Sequence, residues 1–140
     1  MSTDLGRASR RRGRRRPAIV NRAVLAVLRS PLHGLLDGRV CELAYLGRRS
    51  GREIALPVMY AEHGHELVVL VGDAAGKRWW RNFTEPAAIA VRQGGRVRAG
   101  IARLAEPDDP AYSAAVAAYA RRHHVAHRPT DRLLLIQTAS

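Results

Sequence analysis

One cysteine, one phenylalanine, two tryptophans and a single lysine are all that 140 residues hold of those four types. The lone Cys41 cannot form an intrachain disulfide, which excludes a disulfide scaffold and fits a reducing cytoplasm. With so few aromatics, the core must be built from Val, Leu, Ile and Ala. Lysine is nearly absent: Lys77 alone breaks a run of arginines among 24 cations. Such a skew reflects base composition as readily as nucleic-acid binding. Long apolar runs are missing too. The best, residues 18–28, is interrupted by Asn21 and Arg22, lacks the pattern of a secretory signal, and falls short of the ~20 residues that cross a bilayer.

The net charge of +12 is unevenly spread. Residues 1–30 carry nine arginines against Asp4, so +8 belongs to the first fifth of the chain and only +4 to the rest. Residues 1–16 read as a disordered Arg-rich tail. It is a solvated arm, a patch for an anionic membrane surface, or a nucleic-acid arm. Residues 17–140 read as one domain.

From Pro17 onward the pattern changes. Ile19, Val20, Ala23, Val24, Val27 and Leu28 recur at helical spacing, and Pro17 suits a first turn. This amphipathic helix packs on its own domain or, with the tail, lies on a membrane. Strand-like runs follow at 40–46, 54–61 and 67–71, with Glu62-His63-Gly64-His65 as a hairpin turn. Pro57 implies an edge, a bulge or a bend. A short helix is expected at 77–83, and strands at 87–92 and 97–104 flank the hairpin signal Gln93-Gly94-Gly95. An Ala-rich helix at 111–123 and a strand at 133–137 close the chain. Six strands with short hairpins and a few helices predict a mainly β fold, a small antiparallel barrel with helical decoration.

Two stretches carry chemistry. In Gly47-Arg48-Arg49-Ser50-Gly51-Arg52, two glycines permit a tight turn whose backbone N–H groups form an anion nest, with three guanidiniums and a hydroxyl around it. A solvated basic hairpin is the plainer alternative. In Lys77-Arg78-Trp79-Trp80-Arg81-Asn82, adjacent tryptophans on a helix diverge by about 100°, so one can anchor while the other walls a planar ligand. Lys77 and Arg81 at i and i+4 would then share a face, repulsive unless an anion sits there. His123 and His127 have a ligand-like spacing, but no carboxylate or thiol cluster accompanies them, and no metal is expected. Cys41 lies mid-strand and is expected buried and inert. Adjacent rather than interleaved aromatics argue against a nucleic-acid platform.

In this order, Gly47 to Arg52, then Leu56-Pro57-Val58-Met59-Tyr60, a hairpin at Gly64, an apolar strand and Trp79-Trp80-Arg81-Asn82, the chain resembles the deazaflavin (coenzyme F420)-dependent nitroreductase and quinone reductase family over about residues 28–138. The resemblance implies a split β-barrel of the pyridoxamine-phosphate-oxidase, FMN-binding type. It implies F420, or alternatively FMN, as cofactor. By position, Arg48, Arg49 and Ser50 would hold the phosphate and acidic tail. Leu56, Pro57, Val58 and Met59, with Leu70, Val71 and Gly72, would line the ring. Lys77, Trp79, Trp80 and Asn82 would sit at the phosphate and the pocket mouth, and Tyr119 or His123 would protonate the reduced substrate. The implied activity is hydride transfer to a quinone, a nitroaromatic or a similar electrophile. A non-catalytic flavin-, deazaflavin- or haem-binding protein is the other reading. The loop at 73–76 is shorter than the family pattern, and the segment after the last helix is rich in Arg and His rather than Tyr. Pairing into a homodimer would follow from family analogy, and a lipid-dissolved quinone would suit peripheral contact of the N-terminus with a membrane.

Overall fold

The computed structural model describes residues 18–126 and 128–139. The Arg-rich tail, Pro17 and His127 lie outside the described residues. Helix α1 (Ala18–Leu28) is followed by strands β1 (Val40–Leu46), β2 (Glu53–Met59), β3 (Ala61–His63), β4 (Glu66–Val71), β5 (Ala87–Gln93) and β6 (Arg96–Leu104). Helix α2 (Tyr112–His123) and strand β7 (Arg132–Thr138) complete it. The strands form one antiparallel sheet in the order β2-β1-β5-β6-β7-β4-β3.

That order explains the curl. Strands β2 and β3 lie at opposite edges of the sheet, yet only Tyr60 separates them along the chain. The two edges must therefore meet, and the sheet rolls into a half-open barrel. Here the structure corrects the sequence reading. The run expected as one strand over 54–61 is two strands: the Tyr60 N–H still meets the Arg39 carbonyl at 3.0 Å, continuing the β1–β2 register, and from Ala61 the chain pairs with β4 instead. The sheet thus has seven strands, not six, and the turn after β3 shrinks to Gly64-His65. Pro57 sits in the edge strand β2, where its missing N–H costs no ladder bond on the open side. The Gly94-Gly95 hairpin forms as expected, with φ of +60° and +77° closing the Gln93–Arg96 pair.

Alternation sorts the strands' side chains. Leu43, Tyr45, Val69, Val91, Leu134 and Ile136 point into the barrel and bury Phe83, which meets Tyr45 edge-on at 5.0 Å. Val68, Leu133 and Leu135 point outward beneath α2 and pack on Ala115 and Tyr119. Strands β4 and β7 are therefore apolar on both faces, which is why their sequences run almost unbroken in Val and Leu. Cys41 is fully buried, and desolvation pushes its thiol up to about 12.

Helix α1 buries Leu25 and Leu28 and packs along β1 and β2. Beyond it, Arg29 clamps the buried Glu42 with two bonds of 3.0 and 2.5 Å, and Arg92 approaches the same carboxylate at 3.3 Å. The Arg29 hydrogen bond holds the Glu42 carboxyl below its ordinary range, against the opposing push of burial. A buried carboxylate on the strand that starts the sheet is thus paired rather than stranded.

Candidate functional site

The functional region lies where the rolled edges meet. A cavity of about 440 Å³ opens between β2 and β4. Leu56, Pro57, Val58 and Met59 form one wall, and Val69, Leu70 and Val71 form the other. The loop after β4 adds Lys77, Arg78 and Trp79, α2 adds Tyr119, and α1 adds Asn21. Beside it lies a basin of about 390 Å³ lined by Gly47, Arg48, Arg49, Ser50, Ile54, Arg78, Arg81 and Asn82. Arg78 lines both, so the apolar cavity and the basic basin adjoin at this residue. Four guanidiniums and no carboxylate face that basin.

The loop that makes the basin is held from below. Gly47 N–H donates to the Arg52 carbonyl at 2.9 Å, and Gly51 N–H to the Gly47 carbonyl at 2.8 Å. Gly51 takes φ +68°, which a side chain would resist. Arg48 N–H donates to Asn82 Oδ1 at 2.8 Å, and Asn82 Nδ2 donates to the Trp79 carbonyl at 2.8 Å. Asn82 therefore ties the loop to the tryptophan segment. Ser50 Oγ accepts from Arg52 N–H at 3.1 Å, which leaves its own proton to donate. The N–H groups of Arg49 and Ser50 are engaged by no hydrogen bond among the described residues. They are the donors an anion would take.

The tryptophan segment departs from the expected helix over 77–83. Lys77 is extended, with φ −127° and ψ 154°, and a 3-10 helix runs only from Trp79 to Phe83. Lys77 consequently faces the apolar cavity and Arg81 the basin, rather than sharing a face. The tryptophans do divide their work. Trp80 is buried, its Nε1–H donating to the carbonyls of Ala74 and Lys77 at 2.9 and 3.0 Å. Arg81 and Arg132 stack over its ring at 5.4 and 5.6 Å. Trp79 is half-buried and walls the cavity. The buried Asp131 fixes the loop's start by accepting from Asp73 N–H at 3.0 Å and Arg128 N–H at 2.9 Å.

Of the residues chosen from sequence, the cavity gathers Leu56, Pro57, Val58, Met59, Leu70, Val71, Lys77, Trp79 and Tyr119, and the basin gathers Arg48, Arg49, Ser50 and Asn82. Gly72, Trp80 and His123 line neither. His123 is buried, with Nε2 2.6 Å from the Tyr60 carbonyl, so its ring pins α2 to the β2–β3 junction instead of facing a ligand. Tyr119 faces the cavity, and burial, aided by Asp131, pushes its phenol up to about 12. Sequence reading missed Asn21 and Arg78, and it put Arg81 beside Lys77 rather than in the basin. Arg78 stood inside the quoted motif, but an assumed α-helix concealed that it bridges two cavities. Among the described residues, no three His, Cys, Asp or Glu side chains converge as for a metal, and no helix is long and apolar enough to cross a membrane.

Solved structures share this architecture. The haem storage protein HutZ of Vibrio cholerae superposes with a TM-score of 0.54 at 15% identity, covering 74% of this chain and 83% of that one. A domain-swapped dimer gives 0.51 at 21% identity, covering 73% and 82%. The FAD and haem binding protein of Mycobacterium smegmatis gives 0.50 at 20% identity, covering 79% and 67%. At such identities the likeness is one of fold, and that fold is the split β-barrel of the FMN-binding type. No curated protein sequence matches. The model of the family F420H(2)-dependent quinone reductase matches residues 28–138, which span every strand, both cavity walls and the basic basin, and the chain belongs to this family of F420-dependent oxidoreductases, with coenzyme F420 as its cofactor.

Proposed function

We propose that the chain reduces a quinone, a nitroaromatic or a similarly flat electrophile, held in the cavity between β2 and β4. One observation carries this reading: an apolar cavity that adjoins, at Arg78, a basin of four guanidiniums and no carboxylate. The residues fit the cofactor's chemistry. A flat ring suits the Leu56–Met59 wall and Trp79, while a phosphate and acidic tail suit Arg48, Arg49, Ser50, Arg78 and Arg81. The unengaged N–H groups of Arg49 and Ser50 favour an anion there. Reduced F420 supplies a hydride when bound. The acceptor needs one further proton to complete a two-electron reduction, and Tyr119 is the cavity's neutral proton donor. The protein's own work is to orient two flat molecules and to shield them from water.

The test is a titration with oxidised F420 and with FMN, read by Trp fluorescence and melting temperature, followed by reduction of menadione and a nitroaromatic by reduced F420. Tight F420 binding with turnover upholds the reading. Tight binding without turnover makes the chain a carrier, and binding of FMN alone overturns it.

Peripheral contact of the N-terminal region with a membrane, from the cytoplasm, belongs to the same proposal. Ile19, Val20, Leu32 and Leu35 expose apolar side chains, beside the exposed Arg22, the make-up of an interfacial surface. The exposed Val97 and Ile101 on β6 offer a face for a second copy. Analytical ultracentrifugation with and without anionic lipid vesicles decides both: co-sedimentation and a dimer mass are expected, and a free monomer in both conditions overturns them.

A further inference from the structure

Helix α1 carries one residue that its own packing does not explain. Positions 21, 25 and 28 fall on a single helical face at i, i+4 and i+7. Leu25 and Leu28 fill that face and are buried, but the position one turn earlier is Asn21, half-buried and lining the cavity. A leucine there would bury more apolar surface. The Asn21 side-chain amide makes no hydrogen bond with any described residue.

The cavity's other polar groups have assignable tasks. Lys77 and Arg78 come from the loop after β4 and are cationic, and Arg78 continues into the basin that suits the cofactor's anionic tail. Tyr119 comes from α2. Asn21 arrives on α1, which packs along β1 and β2, and it is neutral. A neutral amide brings no net charge to an anion and, unlike the guanidiniums of the basin, can accept as well as donate. It matches a neutral oxygen instead: its NH2 donates to a carbonyl or nitro oxygen, and its Oδ1 accepts from the hydroxyl of a reduced product. An amide that does both can hold the acceptor before and after reduction. Asn21 also precedes the span that the family model matches, residues 28–138, so it is a feature of this chain and not of the matched pattern.

We propose that Asn21 binds the terminal oxygen of the electron acceptor, making α1 one wall of the acceptor site and selecting flat carbonyl or nitro compounds. This rests on the reading that the chain reduces such an electrophile. The test uses the full chain with menadione as the probe, comparing wild type with Asn21→Leu and Asn21→Gln. Two readouts are taken: the menadione dissociation constant on protein loaded with oxidised F420, where no turnover occurs, and KM against kcat with the reduced cofactor. Loss of one neutral hydrogen bond predicts that both the dissociation constant and KM rise about five- to tenfold in Asn21→Leu. The F420 affinity stays unchanged, kcat stays within about threefold, and Asn21→Gln recovers part of the loss. The melting temperature of Asn21→Leu is expected to hold or rise, which separates a binding role from a structural one. Equal menadione constants in wild type and Asn21→Leu overturn the proposal, as does a fall in F420 affinity, which would move Asn21 to the cofactor. A wild type that binds menadione but reduces no acceptor refutes the oxidoreductase reading alone, and the dissociation constants then still decide the role of Asn21.

Discussion

Replacing Arg78 by Ala is expected to weaken F420 binding about 30-fold while leaving the melting temperature unchanged. Arg78 lines both the apolar cavity and the basin, so its guanidinium stands where a ring would give way to an anionic tail. A hydrogen bond to a charged partner contributes roughly 1.5–3 kcal/mol, which corresponds to about 10- to 150-fold in affinity. Its side chain is exposed and packs in no core, so removing it costs the fold little. Arg78→Lys keeps the charge but loses the planar fork, and is expected to recover only part of the affinity. Because the basin holds four guanidiniums, wild-type affinity should also fall with added salt more steeply than that of Arg78→Ala. Isothermal titration at two ionic strengths checks this, and a change of less than threefold in the variant would place the anion elsewhere.

What could be read from the sequence, and what could not, divides along a physical line. Signals confined to a few neighbouring residues came through. Gly94-Gly95 dictated its hairpin through positive φ, the two glycines of Gly47–Arg52 announced a tight turn, and the double tryptophan had to send its rings in different directions. Features set by distant contacts did not. Nothing local in 54–61 marks Tyr60 as the point where the chain leaves one sheet edge for the other, since that break is made by a change of partner, from β1 up to Tyr60 to β4 from Ala61. The helix assumed at 77–83 failed for a similar reason. Trp80 satisfies its indole N–H on the carbonyls of Ala74 and Lys77, which binds the preceding turn in a form that leaves Lys77 extended. That one change moves Lys77 to the cavity and Arg81 to the basin.

His123 shows the same limit at the site. A histidine near the end of a cavity-side helix is a reasonable proton donor on chemistry alone. Its position on α2, one turn after Tyr119, decides otherwise: the two rings meet at a 45° tilt, 4.6 Å apart, and the imidazole bonds to the Tyr60 carbonyl while Tyr119 lines the cavity. Asn21 shows the same limit: in the sequence it only interrupts the apolar run of α1, and it took the cavity beside it to give that residue a surrounding.

Tyr119→Phe is expected to lower kcat for menadione reduction about 100-fold, with F420 affinity and melting temperature unchanged. General acid catalysis contributes typically 10²–10⁴-fold, and Tyr119, unlike the neutral amide of Asn21, can release a proton as well as donate a hydrogen bond. The tyrosine is buried, and desolvation with the nearby Asp131 raises its phenol from 10.0 to about 12. The phenol therefore remains protonated across the working range of an enzyme, so between about pH 6 and 9 the rate should show no limb from its ionisation. The sign on stability follows from the same shift. A folded-state value above the unfolded one means that the native state holds its proton longer, so this contribution is complete below about pH 10 and is lost as pH rises from there to about 12. Phe removes the hydroxyl but keeps the ring that packs on Val68, Leu133 and Leu135, so any loss of rate reports the proton and not the packing. Stopped-flow and steady-state rates at matched acceptor concentration provide the measurement. A kcat within threefold of wild type would show that solvent delivers the proton, and Tyr119 would then be a wall of the cavity and nothing more.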